Sequence, residues 1–256
     1  MDDSERARRA AEVRVKKAVL ELPGMNGVKV LEGRPYEAGT FDLYVATAPA
    51  PAPTVVFIYG FPGVRFGEGL RQMGAYTSWG RLLAASGMNA VAYSYRDPVA
   101  DLSALFAHLR REEKELGIDT RRMALWAASG NVPTALYWLM QNKPGTFCAA
   151  ALLYGYMLDV PAAAEQFGLA VPARGRSIGD LPPDPALLVV RAGNDTTPGL
   201  NASLDAFVSE ALAHDLPLSL LNVPGAQHSF DLFEDSDASR DAIRRVLAFL
   251  REHLKA

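Results

Sequence analysis

A serine at the end of an apolar run is the residue of this 256-residue chain best placed to act as a nucleophile. Residues 122–127 (RMALWA) predict a buried strand, and a helix is predicted to begin directly after Ser129. Pro133 falls in the first turn of that helix, where a missing backbone N–H costs no hydrogen bond. A serine in so tight a turn presents its hydroxyl at the positive end of a helix, with the N–H of Gly130 beside it as an oxyanion donor. The pattern predicts acyl transfer; a purely structural serine is the alternative.

Histidine is the side chain that most readily takes a proton from a serine near neutral pH, and the chain has four. Three of them lie in or beside predicted amphipathic helices and are expected to be solvated: His108, His214 and His253. His228 lies instead in residues 224–231 (PGAQHSFD), a predicted loop directly after the last strand. It is therefore the predicted general base, with an ordinary surface histidine as the alternative.

A carboxylate that could orient this histidine is Asp195. It follows residues 186–191 (ALLVVR), a predicted buried strand, and Gly193 lets the chain turn before it. A carboxylate hydrogen-bonded to a histidine holds its tautomer and stabilises the imidazolium. The alternative is that Asp195 caps the helix that follows, although Thr197 or Asn201 could do so instead.

The remaining sequence predicts a sheet whose strand ends would bring these residues together. After Pro53, apolar runs alternate with helical segments, which is typical of parallel strands buried on both faces. The predicted parallel strands are residues 54–59, 89–95, 122–127, 147–154, 186–191 and 218–223, and the clearest helices are 76–85, 99–116 and 237–254. Residues 28–31 and 41–45 predict two antiparallel edge strands. The expected fold is α/β, a mostly parallel, eight-stranded, doubly wound sheet with helices on both faces, whose ligands bind at the carboxyl ends of the strands.

The length fits one domain, residues 1–256. Residues 1–20 are rich in charge and predict an N-terminal helical extension, with the helix itself at 4–17. Residues 156–184, rich in Pro, Gly and Ala, predict a small lid or a partial helix. Residues 1–17 contain no apolar signal core, and the longest apolar run, 147–154, is too short to cross a bilayer. A cytoplasmic protein without a membrane partner is expected.

Composition and charge argue against several other classes of protein. The net charge of −3 would repel a polyanion, so no nucleic-acid partner is expected. The one cysteine, Cys148, allows neither an intramolecular disulfide nor a cysteine-based metal cluster, and it is predicted to be a small buried residue on a strand. No metal and no organic cofactor is expected. An edge strand or the last helix offers a surface for a homodimer.

Four segments together resemble the α/β-hydrolase superfamily, more particularly its small esterase and dienelactone-hydrolase-like branch. They are residues 60–63 (GFPG), 127–131 (AASGN), 193–195 (GND) and 225–231 (GAQHSFD), and the resemblance runs from about Gly33 to the C-terminus. It implies that Ser129, Asp195 and His228, in that chain order, form a catalytic triad.

The resemblance also implies an oxyanion hole formed by the backbone N–H groups of Phe61 and Gly130. Two positions depart from the family pattern. Tyr59 stands where a histidine often precedes the oxyanion loop, which should matter little because the donor is a backbone group. Asn131 stands where the G-x-S-x-G motif has its second glycine, and its side chain is expected either to tilt the helix or to point into the pocket and narrow it.

The expected function is hydrolysis of carboxylic esters with small or medium acyl groups. Dienelactone hydrolases have a cysteine where this chain has Ser129, which favours ordinary esters, and the short lid favours small ones. A thioesterase, lactonase, small-peptide hydrolase or acyltransferase would need the same triad, and Asn131 raises the alternative of a non-catalytic binding protein. A partly aromatic pocket is predicted from Tyr59, Phe61, Trp126, Asn131, Tyr156 and Phe230, of which Trp126 could equally belong to the core.

Overall fold

A single eight-stranded sheet forms the centre of the computed structural model, which describes residues 12, 14–60, 67–161 and 168–256. Its strands are Val30–Tyr36 (β1), Gly39–Tyr44 (β2), Ala52–Phe57 (β3), Asn89–Tyr93 (β4), Ile118–Ala128 (β5), Ala149–Leu153 (β6), Ala186–Ala192 (β7) and Leu218–Val223 (β8). They lie in the order β1-β2-β4-β3-β5-β6-β7-β8. All neighbouring pairs from β4 to β8 are parallel, whereas β2 runs antiparallel to β1 and β4. The predicted eight-stranded, mostly parallel sheet is confirmed.

The central strands are mostly apolar because both of their faces are covered, and their polar residues Thr54 and Asn89 are buried as well. Every residue of β3, β4 and β6 is buried, whereas β1, at the edge of the sheet, exposes several of its residues. β5 begins four residues earlier than predicted, at Ile118, because Ile118 pairs with Ala52 at the start of β3. Cys148 lies just before β6 and is only partly buried, so its predicted burial on a strand is wrong.

Helices cover both faces of this sheet. Those of the described residues are Gly74–Ala85 (α1), Ala100–Arg111 (α2), Glu113–Leu116 (α3), Val132–Gln141 (α4), Leu200–Ala213 (α5), Phe230–Phe233 (α6) and Asp237–Leu254 (α7). Both α4 and α7 pack on β5 and β6. The helix predicted at 99–116 is interrupted at Glu112, and Gly117 ends its second part with a φ of 67°, as predicted for a glycine stop.

The N-terminal segment is described only in part. Of the helix predicted at 4–17, Glu12 and residues 14–15 are helical, and most of the rest lies outside the described residues. The chain then passes beside α1 and α6, where the N–H of Val19 donates to the carbonyl oxygen of Asp231 at 2.8 Å. This hydrogen bond holds the segment around Val19 against α6, which follows β8.

The predicted lid, residues 156–184, is irregular where it is described. Residues 162–167 lie outside the described part, and a 3-10 turn forms at Ile178–Asp180. The N–H of Ala170 donates to the carbonyl oxygen of Gly60 at 2.7 Å, so this segment reaches the end of β3. Within residues 14–60, 67–161 and 168–256, no helix is both long and apolar enough to span a bilayer.

Candidate active site

The loops after β5, β7 and β8 bring Ser129, His228 and Asp195 together. Ser129 Oγ lies 2.8 Å from His228 Nε2, and His228 Nδ1 lies 2.6 Å from Asp195 Oδ2. Both distances are those of good hydrogen bonds. Ser129 and His228 are 99 positions apart in the sequence, so only the folded sheet can bring them into contact. The three residues predicted for catalysis therefore form one hydrogen-bonded chain at the carboxyl edge of the sheet.

Ser129 occupies a strained turn between β5 and α4. Its φ of 56° lies in the left-handed region, which residues other than glycine rarely adopt. A 3-10 turn at Ser129–Asn131 separates strand from helix, so α4 begins at Val132, two residues later than predicted, with Pro133 in its first turn. This strained strand-to-helix turn has the geometry of a nucleophile elbow, which exposes the hydroxyl above the sheet.

Two glycines allow neighbouring strands to approach this turn closely. A Cβ atom on Gly60, after β3, would lie 2.4 Å from the carbonyl oxygen of Gly130. A Cβ atom on Gly155, after β6, would lie 2.6 Å from the carbonyl oxygen of Ser129. Both gaps are far shorter than a van der Waals contact. Any larger residue at either position would therefore displace the turn that holds Ser129.

Backbone hydrogen bonds hold the loops after β7 and β8 against each other. The N–H of Gly193 donates to the carbonyl oxygen of Val223 at 3.0 Å, and that of Asn194 donates to Ala226 at 2.9 Å. A Cβ atom on Gly193 would lie 3.0 Å from Pro224 Cα, so a glycine is needed for this close approach. The two loops thereby fix the separation between Asp195 and His228.

Both oxygens of the Asp195 carboxylate have hydrogen-bond partners. Its Oδ1 accepts the N–H of Thr197 at 2.8 Å, and its Oδ2 faces His228. Helix α5 begins after Gly199 without a side-chain cap, so the alternative role of Asp195 as a helix cap is wrong. Burial opposes ionisation of this carboxyl, but the hydrogen bonds from His228 and Thr197 outweigh burial and hold the pKa of Asp195 below its ordinary value.

The ionised Asp195 sets the tautomer of His228. A carboxylate can only accept hydrogen bonds, so Nδ1 of His228 carries the hydrogen in the contact with Asp195. In the neutral ring Nε2 is then unprotonated and can accept the hydroxyl hydrogen of Ser129. This is the tautomer that a general base for Ser129 requires.

Not all of the other histidines are as exposed as predicted. His108 is partly buried on α2, with its ring 5.5 Å from that of Phe41, and burial together with nearby Arg111 lowers the pKa of His108. His253 is also partly buried, 4.4 Å from the ring of Phe249. Only His214 is exposed as expected. The helical pattern predicted correctly that these three histidines lie in or beside helices, but it did not predict the ring contacts that partly bury His108 and His253.

Asn131 fits into the elbow by turning its side chain toward the end of β3. It is 7% exposed, and its Oδ1 accepts the N–H of Gly60 at 2.7 Å. Its Nδ2 donates to the hydroxyl oxygen of Tyr76 at 3.0 Å. The side chain also lines the cavity beside Ser129, which was one of its two expected positions. The elbow accommodates this larger residue and keeps the contact between Ser129 and His228.

A cavity of about 230 Å³ adjoins Ser129 between β5, α1 and the loop after β8. Aliphatic side chains and methionine form part of its wall: Leu70, Met73, Ala75, Ala128 and Leu232. Three aromatic residues also line it: Tyr76, Trp126 and Tyr154. The remaining lining residues are small or polar: Ser129, Gly130, Asn131, Ser229 and Asp231. The cavity is therefore suited to a mainly apolar group attached to a carbonyl that reacts with Ser129.

Of the residues predicted for the pocket, Trp126 and Asn131 line this cavity, whereas Tyr59, Tyr156 and Phe230 do not. Tyr59 is fully buried and packs against other tyrosine rings. Tyr156 belongs to a separate small cluster, and its hydroxyl donates to the carbonyl oxygen of Pro198. Phe230 is 1% exposed against Tyr154. Sequence position located these residues near the sheet edge but not the direction of their side chains.

Sequence reasoning missed two residues that support His228, Tyr154 and Asp231. The ring of Tyr154 meets the His228 ring edge-on with centroids 5.2 Å apart, and the Tyr154 hydroxyl donates to Asp231 at 2.5 Å. Asp231 also accepts Trp79 Nε1–H at 2.8 Å and is 1% exposed. Burial raises the pKa of Asp231, and these hydrogen bonds oppose that only in part. The one available signal was the position of Asp231, three residues after His228.

The predicted oxyanion donors differ in how far they are described. Gly130 is buried in the turn directly after Ser129, whereas Phe61 lies outside the described residues. Gly60, which precedes Phe61, is held by hydrogen bonds on both its N–H and its carbonyl oxygen. In the part of the chain that is described, no group of three or more His, Cys, Asp and Glu side chains could hold a metal ion.

Solved esterases have structures similar to that of this chain. A thermostable esterase from Pseudomonas putida matches with a TM-score of 0.74 and 17% identity, over 100% of this chain and 91% of that chain. Esterase LipW from Mycobacterium marinum matches with a TM-score of 0.67 and 18% identity, over 99% and 88%. A bacterial heroin esterase matches with a TM-score of 0.66 and 15% identity, over 99% and 90%.

These matches establish the α/β-hydrolase fold that the sequence predicted. No protein-family model matches the sequence, and a search of curated proteins finds no match either.

Proposed function

We propose that this chain is a serine hydrolase that cleaves carboxylic esters of small or medium acyl groups through an acyl-enzyme intermediate. One observation carries the proposal: Ser129 Oγ, His228 and Asp195 Oδ2 form a continuous hydrogen-bonded chain, with contacts of 2.8 and 2.6 Å. The strained φ of Ser129 and the adjoining cavity support it. The esterases of similar structure are consistent with it.

In the first step His228 Nε2 takes the hydroxyl proton of Ser129 as Oγ attacks the ester carbonyl. The N–H groups of Gly130 and Phe61 are the proposed donors to the oxyanion. When the tetrahedral intermediate collapses, His228 returns the proton to the departing alcohol. Asp195 stabilises the imidazolium in the meantime. Water activated by His228 then attacks the acyl-enzyme and releases the acid.

The cavity sets the acyl group that would fit. A water molecule occupies roughly 30 Å³ in the liquid, and a methylene group is of similar size, so 230 Å³ holds about seven non-hydrogen atoms. A butyryl group fits within that volume, whereas an octanoyl group exceeds it. We therefore propose that butyrate esters are hydrolysed faster than octanoate esters.

The same triad would serve a thioesterase, a lactonase or an acyltransferase, and membership of the dienelactone-hydrolase-like branch is part of this proposal. Asn131 was the reason to consider a non-catalytic binding protein. In the structure Asn131 hydrogen-bonds to Gly60 and Tyr76 while Ser129 keeps its contact with His228. That arrangement favours catalysis over binding alone.

The test is hydrolysis of p-nitrophenyl acetate, butyrate and octanoate by the wild type and by Ser129→Ala. We expect Ser129→Ala to lose at least about 1000-fold in kcat/KM while it keeps the far-UV circular dichroism of the wild type. Ser219→Ala is the matched control, because Ser219 is exposed on the edge strand β8. Equal rates in wild type and Ser129→Ala would contradict the proposal. An inert wild type whose serine also fails to react with a fluorophosphonate would support the binding protein.

A further inference from the structure

The orientation of the Asn131 amide is fixed by its two neighbours. A backbone N–H can only donate, so the group 2.7 Å from the Gly60 nitrogen must be the amide oxygen of Asn131. The amide nitrogen therefore faces the hydroxyl of Tyr76 at 3.0 Å and donates to it. The Tyr76 oxygen is the acceptor in this contact, so the hydrogen of the Tyr76 hydroxyl is left for a different partner.

That hydrogen has no acceptor among residues 14–60, 69–161 and 168–256, whose side chains are described. Tyr76 is 8% exposed and lines the cavity together with Ser129 and Asn131. Its ring is held edge-on by Tyr59 and at a tilt by Phe57, with centroids 4.7 and 5.5 Å away. The hydroxyl is thus fixed in place. A buried donor normally has a partner, and an oxygen of a bound molecule in the cavity would supply one.

We propose that the Tyr76 hydroxyl, oriented by Asn131, donates a hydrogen bond to an oxygen in the acyl part of the substrate. The inference rests on the proposed function and names its substrate class: esters whose acyl group carries an ether or keto oxygen. The reacting carbonyl already has proposed backbone donors at Gly130 and Phe61. Leu70, Met73 and Leu232 contribute apolar atoms to the cavity wall, which also includes Ser229 and Asp231, so the remainder of the acyl group is expected to be mainly hydrocarbon.

The hydroxyl keeps its hydrogen over the whole neutral pH range. Burial raises the pKa of Tyr76 above its ordinary value, and the hydrogen bond from Asn131 offsets this only in part. Tyr76 therefore acts as a neutral donor, and its contribution to binding does not change between about pH 6 and pH 9, because its pKa is raised above the ordinary tyrosine value of about 10.

The test compares two pairs of p-nitrophenyl esters of similar shape: methoxyacetate with butyrate, and levulinate with isocaproate. For each pair, the ratio of kcat/KM for the oxygen-bearing ester to that for the hydrocarbon ester is measured in wild type and variants. Differences in intrinsic reactivity between the esters cancel when this ratio is compared across variants. We expect Tyr76→Phe to lower the ratio roughly threefold to tenfold in at least one pair, the effect of one neutral hydrogen bond.

Asn131→Asp provides a second, independent variant. One carboxylate oxygen keeps the contact with the Gly60 N–H, while the other accepts the Tyr76 hydrogen and turns it away from the cavity. We expect the same fall in the ratio as in Tyr76→Phe, and no further fall in the double variant. Tyr59→Phe is the matched control, because its buried hydroxyl has no partner among the described residues and does not line the cavity. Its ratio should equal that of the wild type.

Three results overturn the inference. An equal loss on both members of each pair in Tyr76→Phe would place the hydroxyl at the reacting carbonyl or give it a structural role. Unchanged rates in Tyr76→Phe would show that it does not contact substrate. A wild type that hydrolyses none of the four esters, and whose Ser129 resists a fluorophosphonate, would remove the proposed function itself. If the wild type hydrolyses the butyrate ester, either of the first two results would overturn this inference alone.

Discussion

Two buried carboxylates lie on either side of His228, one in the loop after β7 and the other on α6. The Asp195 side chain has no exposed surface, and Asp231 is 1% exposed. Asp195 accepts from a histidine that can become a cation, and its pKa lies below the ordinary value. Asp231 accepts from the neutral side chains of Trp79 and Tyr154, and burial raises its pKa.

The comparison shows that burial alone does not decide whether a carboxyl group ionises. Taking a carboxylate out of water favours its neutral form, and only a charged or strongly donating partner reverses that preference. Asp195 has such a partner and is suited to stabilise an imidazolium. The side chains that donate to Asp231 are neutral, and Asp231 holds Trp79 and Tyr154 in place. We therefore propose that Asp195 stabilises the charged form of His228, whereas Asp231 supports the structure around it.

The largest expected effect separates the two carboxylates by activity. Asp195→Asn should lower kcat/KM for p-nitrophenyl butyrate by about 1000- to 10,000-fold, because the amide favours the wrong tautomer of the histidine. Asp231→Asn should lower it by less than about tenfold, since both neutral neighbours can still hydrogen-bond to an amide. Similar losses in the two variants would break the comparison.

The free energy of unfolding should depend more on Asp231 than on Asp195, the reverse of the order expected for activity. Asp231→Ala leaves the buried Trp79 N–H and Tyr154 O–H without their acceptor, and we expect the free energy of unfolding to fall by about 3 kcal/mol. Asp195→Ala should cost less, because His228 is partly exposed and can bond to water. Urea denaturation at neutral pH measures both values. A loss below about 1 kcal/mol in Asp231→Ala would rule out its structural role.

The pH dependence of stability should also differ in sign. The pKa of Asp231 is raised in the folded state. The contribution of this group to the free energy of unfolding is therefore fully present below the unfolded-state pKa of about 3.9, and it is lost as the pH rises through the folded-state pKa. The wild type should therefore lose stability relative to Asp231→Asn as pH rises from about 4. For Asp195 the pKa is depressed, so the wild type should lose stability relative to Asp195→Asn as pH falls below about 4.

Urea denaturation of the three proteins between pH 3 and pH 8 would show these trends. Parallel stability curves for wild type and Asp231→Asn would mean that Asp231 ionises as easily in the folded as in the unfolded chain.

The smallest effect concerns the hydroxyl of Tyr154. Tyr154→Phe keeps the ring beside His228 but removes one donor to Asp231, so the free energy of unfolding should fall by about 1 kcal/mol. Esterase activity should stay within a few-fold of the wild type. A loss of activity as large as that of Asp195→Asn would show that Tyr154 and Asp231 act on His228 electronically and not only by packing.

The contrast between the carboxylates also marks what the sequence could predict. Asp195 follows a glycine at the end of an apolar strand, and Ser129 and His228 likewise follow strands, so strand ends alone indicated their meeting point. Each strand end is marked by a local sequence pattern, an apolar run followed by a turn residue, and this pattern recurs along the chain. For the same reason, seven of the eight strands were predicted to within four residues of their observed bounds, whereas β1 ends at Tyr36, five residues beyond its predicted end at Leu31.

Asp231 could not be assigned in this way because its partners are remote. Trp79 is 152 positions away, on a helix whose pattern shows only that it is amphipathic. Tyr59 and Tyr76 pose the same problem: both are aromatic residues near the sheet edge, yet only Tyr76 lines the cavity. Periodicity shows which residues are buried, whereas the direction of a side chain at a strand end depends on the elements that converge there.

The most direct test of the account is labelling with a fluorophosphonate, followed by mass spectrometry of the digested protein. The account predicts an adduct on Ser129 in the wild type and none in Ser129→Ala. We also expect the labelling rate of Asp231→Asn to be within about tenfold of the wild-type rate. In Asp195→Asn the rate should fall by about 1000-fold or more. An unlabelled wild type, an adduct on another residue, or equally fast labelling of Asp195→Asn would contradict it.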